Sequence, residues 1–142
     1  MATTTTRFTR PVDASDLTRR TTLGILTAVV SVLVLRAAVD LAGLAVGAGG
    51  TNDPFAVLPL LATTVVAGVG AAVAYAVLDR FTARPARNFT ALAAAVFTLM
   101  LVPVVAFAPT LGVTAVGQAV LVAFHAVVAV PIVAFVTGAL RR

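Results

Sequence analysis

Three ionisable side chains interrupt the apolar stretches of this sequence, namely Arg36, Asp40 and His125. An ionisable group inside a membrane is costly, so it needs a partner or a water-filled cavity. Arg36 and Asp40 are four residues apart, which places them on one face of a helix and predicts an ion pair. Any chemistry of this chain should therefore involve these three residues.

A functional interpretation joins them in a polar cavity that opens to the outside. Asp40 and His125 would exchange protons or hold a ligand there, while Arg36 binds an anion. At about 1.5 Å per residue, Arg36, Thr64 and His125 each lie about 24 Å from the nearest arginine cluster. These distances predict one polar layer in the outer half of the membrane, with Gln118 near the outer surface as the fifth member of the candidate site.

A structural interpretation explains the same residues without any activity. Arg36 would extend to the outer head groups, and Asp40 would pair with it near the interface. His125 would donate a hydrogen bond to a carbonyl freed by Pro103 or Pro131. Helix tilt and proline kinks can shift each depth by a turn, so the sequence favours this interpretation over the functional one.

Enzyme chemistry is not predicted. The chain contains one His and neither Cys nor Glu, so it cannot supply the ligands of a closed zinc site or of a three-ligand catalytic one. A nucleophilic triad would need Ser31, Asp40 and His125, but Ser31 has no elbow turn after it and shares a helix with Asp40. We expect no catalytic residue, no metal site and no cofactor.

The composition requires a lipid environment. The sequence is 61% hydrophobic and 11% charged, with a mean hydropathy of +1.10, which leaves too little polar surface for a soluble globule. Four apolar stretches predict transmembrane helices over about 21–47, 55–78, 88–108 and 115–140. With short connections these predict an all-α, antiparallel up-down bundle of four transmembrane helices over residues 21–142, preceded by a flexible cytoplasmic tail over residues 1–20.

The arginines set the orientation of this bundle. Short cytoplasmic loops retain Arg and Lys, so all arginine clusters should lie on one side of the membrane. This predicts a multi-pass protein of the cell membrane with both termini in the cytoplasm. The arginines beside the apolar segments should contact anionic lipid head groups, and nothing indicates nucleic-acid binding. The residues that anchor this topology are Arg19, Arg20, Arg80, Arg84, Arg87, Arg141 and Arg142.

The N-terminal region also has an alternative interpretation. The arginine pair at residues 19–20, followed by an apolar run, resembles a twin-arginine export signal. The run is longer than the apolar part of a signal peptide, contains Arg36 and lacks a convincing cleavage site. A membrane helix is therefore favoured over a cleaved signal.

Small residues recur along the second predicted helix at every fourth position. This small-residue ladder allows another backbone to approach closely, either within the bundle or between two copies of the chain. Its members are Thr64, Gly68, Ala72 and Ala76.

Two stretches resemble a known family. The turn with Arg84, Pro85 and Arg87, within residues 78–89, and His125, within residues 123–131, are similar to features of a family of small four-span integral membrane proteins, domain of unknown function 6069. The resemblance covers about residues 21–140. It implies a four-helix membrane fold and a membrane location, and it implies no activity.

We therefore expect a small polytopic membrane protein that is a non-enzymatic structural or accessory component, as a homo-oligomer or within a larger membrane complex. The alternative is a small channel or transporter subunit that uses the polar layer of Arg36, Asp40 and His125.

Overall fold

Four long helices make up most of the chain. The computed structural model describes residues 12–50 and 53–141, without the side chain of Arg141. The helices are α1 (Ala14–Leu41), α2 (Val57–Phe81), α3 (Pro85–Ala106) and α4 (Ala115–Val136), with short 3-10 segments at Ala108–Leu111 and Ala139–Arg141. Each of the four helices is long and apolar enough to cross a membrane, and large apolar side chains cover their outer faces. The protein is a multi-pass, all-α membrane protein.

Helix α1 is displaced along the chain from its predicted bounds of about 21–47. It begins at Ala14 because Asp13 has the extended backbone of an N-cap residue and Asp16 places a negative charge in the first turn. It ends at Leu41, and the left-handed backbone of Gly43 and then Gly47 follows. The second half of the predicted flexible tail is thus largely helical, while residues 1–11 lie outside the described residues.

The other helix ends differ from prediction by fewer residues. Helix α3 begins at Pro85 rather than at 88, because proline fits the first helical position, where its missing N–H has no role. Helix α4 ends at Val136 rather than at 140, close to Gly138 with its positive φ of 71°. Both Pro103 and Pro131 lie inside their helices.

The helices form the predicted antiparallel bundle, in which α2 and α4 each pack against the three others. Helix α1 lies close to α4 at Gly24, where an added Cβ would lie 3.3 Å from the Cβ of Phe135. One and two turns further along α1, Ala28 and Val32 are fully buried. Small side chains at Gly24 and Ala28 therefore allow α1 to pack closely on α4.

The two ends of the bundle differ. We call the end with the start of α1, the α2–α3 turn and the end of α4 the arginine end. Here Val12 N–H donates to Asp79 Oδ2 over 2.6 Å, and Tyr75 packs edge-on against Phe89 with ring centroids 5.4 Å apart. We call the opposite end, where residues 42–56 and 107–114 connect the helices, the loop end; the Phe55 and Phe124 ring centroids lie 6.3 Å apart in its core.

The two connections at the loop end are joined to each other. Ala48 N–H donates to the Gly112 carbonyl over 3.1 Å, and Thr114 N–H donates to the Val46 carbonyl over 3.0 Å. Gly47 lies between them with φ of 68°, and a Cβ there would collide with the Gly112 carbonyl. Glycine is therefore required at position 47, and the paired connections close this end of the bundle.

Candidate functional site

The predicted ion pair forms within α1. Arg36 Nε lies 3.1 Å from Asp40 Oδ2, as the four-residue spacing requires. Asp40 is next to the last residue of the helix, Leu41, so the pair lies near the loop end. In the isolated chain, 55% of the Asp40 side chain and 27% of the Arg36 side chain are exposed. This position suits a pair at the membrane interface.

His125 lies at the middle of α4 and forms its hydrogen bond within that helix. Its Nδ1 donates to the Leu121 carbonyl over 2.7 Å, because a carbonyl oxygen can only accept. The predicted bond to a carbonyl freed by Pro103 or Pro131 is therefore wrong. Those prolines free the carbonyls four residues before them, whereas Leu121 is itself four residues before His125 and within reach of the ring.

A cavity of about 490 Å³ lies between α2, α3 and α4. Its polar lining side chains are His125, Thr63 and Thr64, and the remainder of its wall is apolar. Arg36, Asp40 and Gln118 are not part of the wall. The structure thus brings together two of the five candidate residues, Thr64 and His125, and leaves the other three outside the cavity.

The predicted polar layer is not formed, because Arg36 and His125 lie at different depths. Gly24 on α1 lies against Ile132 on the antiparallel α4, and twelve residues along each helix from this contact Arg36 is level with residue 120 rather than 125. Val32 is the α1 residue that lines the cavity with His125. Arg36 is one helical turn, about 6 Å, nearer the loop end than Val32. The cavity therefore does not contain the charges that the functional interpretation required.

Gln118 connects two helices. Its Nε2 donates to the Val104 carbonyl over 2.8 Å. Val104 lies in the last turn of α3, where main-chain carbonyls have no partner within the helix. Gln118 thereby caps the end of α3, a role that its place in the sequence did not reveal.

A family model for the "Family of unknown function (DUF6069)" matches residues 12–142 and so includes all four helices, the Arg84–Pro85–Arg87 turn and His125. The chain belongs to this family. The resemblance inferred from the turn and the histidine is confirmed. No curated protein and no solved structure matches the chain.

The small-residue ladder of this DUF6069 chain begins inside the bundle and ends on its surface. Thr64 and Gly68 are buried, and a Cβ on Gly68 would collide with Cγ1 of Ile25 on α1. Ala72 is half-buried and Ala76 is exposed. The ladder thus packs against α1 at Gly68, and its last member lies on the surface.

Most of the predicted topology anchors of the DUF6069 chain point outward at the arginine end. Arg142 and the side chain of Arg141 lie outside the described residues. The exposed anchors are Arg19, Arg80, Arg84 and Arg87. Their guanidinium groups are thus exposed together at one end of the bundle.

Arg20 is the exception among these anchors. Its Nη2 lies 2.5 Å from Asp16 Oδ2, and a Cβ on Gly138 would lie 2.7 Å from its Nη1. Arg20 therefore pairs within α1 and packs against the chain just after α4. The four-residue spacing of Asp16 and Arg20 could have indicated this pair, but the assignment of residues 1–20 to a flexible tail concealed it.

Within residues 12–50 and 53–141, no three side chains of His, Cys, Asp or Glu are grouped so that they could hold a metal ion.

Proposed function

We propose that this chain is a non-enzymatic structural or accessory component of the cell membrane. The separation of the Arg36–Asp40 pair from the cavity at His125 carries the proposal. An ion path needs polar groups or water along its length, whereas this cavity has an apolar wall with three polar side chains. The polar side chains at the middle of the helices instead bond to carbonyls of their own helix, as His125 does to Leu121.

The proposed orientation places both termini in the cytoplasm. The start of α1, the α2–α3 turn and the end of α4 share the arginine end, where four exposed arginines lie. Positive charge is retained on the cytoplasmic side of short loops, which supports this orientation. The same arginines would contact anionic lipid head groups.

The proposed partners are further copies of the chain or other membrane proteins. Every transmembrane helix exposes large apolar side chains, for example Leu58 at 78% and Val66 at 71%. Either lipid or a partner helix can cover such faces. Extraction from its own membrane in a mild detergent should therefore give a complex larger than a monomer of the chain in the same detergent. A particle of monomer size would contradict an accessory role in an assembly.

A channel or transporter subunit is the second candidate, because His125 and Thr64 do share a cavity. Purified protein in liposomes should be no more permeable to protons or anions than empty liposomes, between about pH 5 and pH 8, the range in which histidines ordinarily titrate. Ser31→Ala is the matched control, because the Ser31 hydroxyl bonds to the Thr27 carbonyl and does not line the cavity. A flux that His125→Ala abolishes and Ser31→Ala preserves would overturn the accessory proposal in favour of transport.

A further inference from the structure

The three polar side chains that line the cavity each make a hydrogen bond to a carbonyl of their own helix. His125 uses its Nδ1–H for the Leu121 carbonyl, so the neutral ring offers Nε2 only as an acceptor. Thr63 and Thr64 likewise donate their hydroxyl hydrogens to carbonyls of their own helix, at 2.7 Å each to Pro59 and Leu60. Their remaining lone pairs can only accept. The cavity therefore offers acceptors and no free side-chain donor.

An acceptor that faces an apolar cavity without a partner is costly. Among the described residues, the hydrogen bond of the His125 side chain is made through Nδ1, and none is made through Nε2. A ligand that carries a hydrogen-bond donor would satisfy this atom. A ligand with carbonyl or ether oxygens alone would not.

The shape of the cavity limits the rest of the ligand. Its wall extends along α2 from Leu60 to Ala74, a length of about 21 Å. A cavity of about 490 Å³ with this length accommodates an elongated hydrocarbon chain.

The cavity is reached from the side of the bundle. Thr63, Ala67 and Gly70 on α2 and Val96 and Met100 on α3 line it and are also exposed. These residues lie within membrane-spanning segments, so the opening faces the hydrocarbon of the bilayer. A ligand would enter by lateral diffusion from the lipid.

We propose that this cavity binds a lipid-soluble alcohol or phenol. The hydroxyl donates to His125 Nε2, and the hydrocarbon tail lies between α2 and α3. This inference goes beyond the accessory role and does not depend on it.

Matched probes test the proposal on the wild-type chain in detergent. Hexadecanol and para-dodecylphenol each carry a donor, their methyl ethers carry only an acceptor, and hexadecane carries neither. Each hydroxyl probe should be retained about tenfold better than its methyl ether, the factor that corresponds to about 1.4 kcal/mol for one hydrogen bond. The larger of the two ratios then distinguishes an alcohol from a phenol as the preferred class. Equal retention of all five probes would mean that the cavity holds any hydrocarbon chain, which overturns the proposal.

A spectroscopic measurement locates the bound hydroxyl. The chain has one His, so isotope-labelled histidine gives a nitrogen NMR spectrum of His125 alone. A hydroxyl probe should shift the Nε2 resonance and leave Nδ1 nearly unchanged, whereas the ethers and hexadecane should shift neither. An Nε2 resonance that is unmoved by either hydroxyl probe would contradict the assigned contact.

Cavity-filling variants separate binding from folding. Gly70→Phe adds a ring at a position where a Cβ would meet no atom within 4 Å, so it should fill the cavity, leave His125 in place and abolish retention of the hydroxyl probes. Val66→Phe is the control, because Val66 is exposed on the same helix outside the cavity. Loss of retention in both variants, or in neither, would contradict binding at this cavity.

Discussion

The side-chain amide of Gln118 on α4 donates a hydrogen bond to the main-chain carbonyl of Val104 on α3, with a distance of 2.8 Å. The acceptor belongs to the last turn of α3. The Pro103 carbonyl, one residue before Val104, accepts from the Phe107 N–H. An unpaired carbonyl is costly where water is scarce. Gln118 therefore stabilises both the end of α3 and its contact with α4.

Gln118→Leu should destabilise the bundle by about 1–2 kcal/mol, because the Val104 carbonyl loses its donor while the apolar volume is kept. The measurement is the free energy of unfolding in mixed detergent micelles. Thr98→Val is the control, because the exposed Thr98 hydroxyl bonds only within α3, to the Ala94 carbonyl. A Gln118 variant as stable as the Thr98 variant would show that water replaces the amide at Val104.

The sequence predicted the helices well because hydropathy depends on composition over many residues. It also predicted the Arg36–Asp40 pair, since a four-residue spacing fixes which side chains meet on one helix. Contacts between helices could not be predicted from the sequence. The Gln118–Val104 bond and the Gly24 contact with Phe135 depend on how each helix is rotated about its axis, which spacing within one helix does not determine.

The common layer of Arg36, Thr64 and His125 failed for a related reason. Counting from the arginines assumes that each helix enters the membrane at its arginine. Helix α1 begins at Ala14, so Arg19 and Arg20 lie in its second turn rather than at its start. Val32, rather than Arg36, is the α1 residue that lines the cavity with His125.

The Arg36–Asp40 pair should contribute little to stability. Asp40 is more than half exposed in the isolated chain and is next to the end of α1. Exposed pairs four residues apart contribute less than about 1 kcal/mol. Asp40→Asn should therefore change the unfolding free energy by less than that amount, and so should the double change of Arg36 and Asp40 to Leu. A loss of several kcal/mol in Asp40→Asn alone would place the pair within the hydrocarbon.

Gly24→Leu should separate α1 from α4. The new side chain starts 3.3 Å from the Cβ of Phe135 and 3.4 Å from the Cα of Ile132, so it cannot be accommodated without movement of a helix. We expect a loss of about 1–3 kcal/mol, the usual cost of overpacking. Gly70→Leu is the matched glycine control, because its Cβ would meet no atom within 4 Å. An equally large loss in Gly70→Leu would show that the effect comes from replacing a helical glycine and not from the contact between α1 and α4.

The proposed orientation can be measured because the chain contains no cysteine. Single cysteines at Ala83, in the α2–α3 turn, and at Leu111, at the loop end, are both at exposed positions. In intact cells a membrane-impermeant maleimide should label Leu111→Cys and should label Ala83→Cys only after the membrane is opened, because the arginine end is proposed to face the cytoplasm. Ala28→Cys is the control for access, since Ala28 is fully buried and should react only after unfolding. Labelling of Ala83→Cys in intact cells, with Leu111→Cys protected, would mean that the arginine end faces the outside. The arginine distribution would then not predict the topology of this protein.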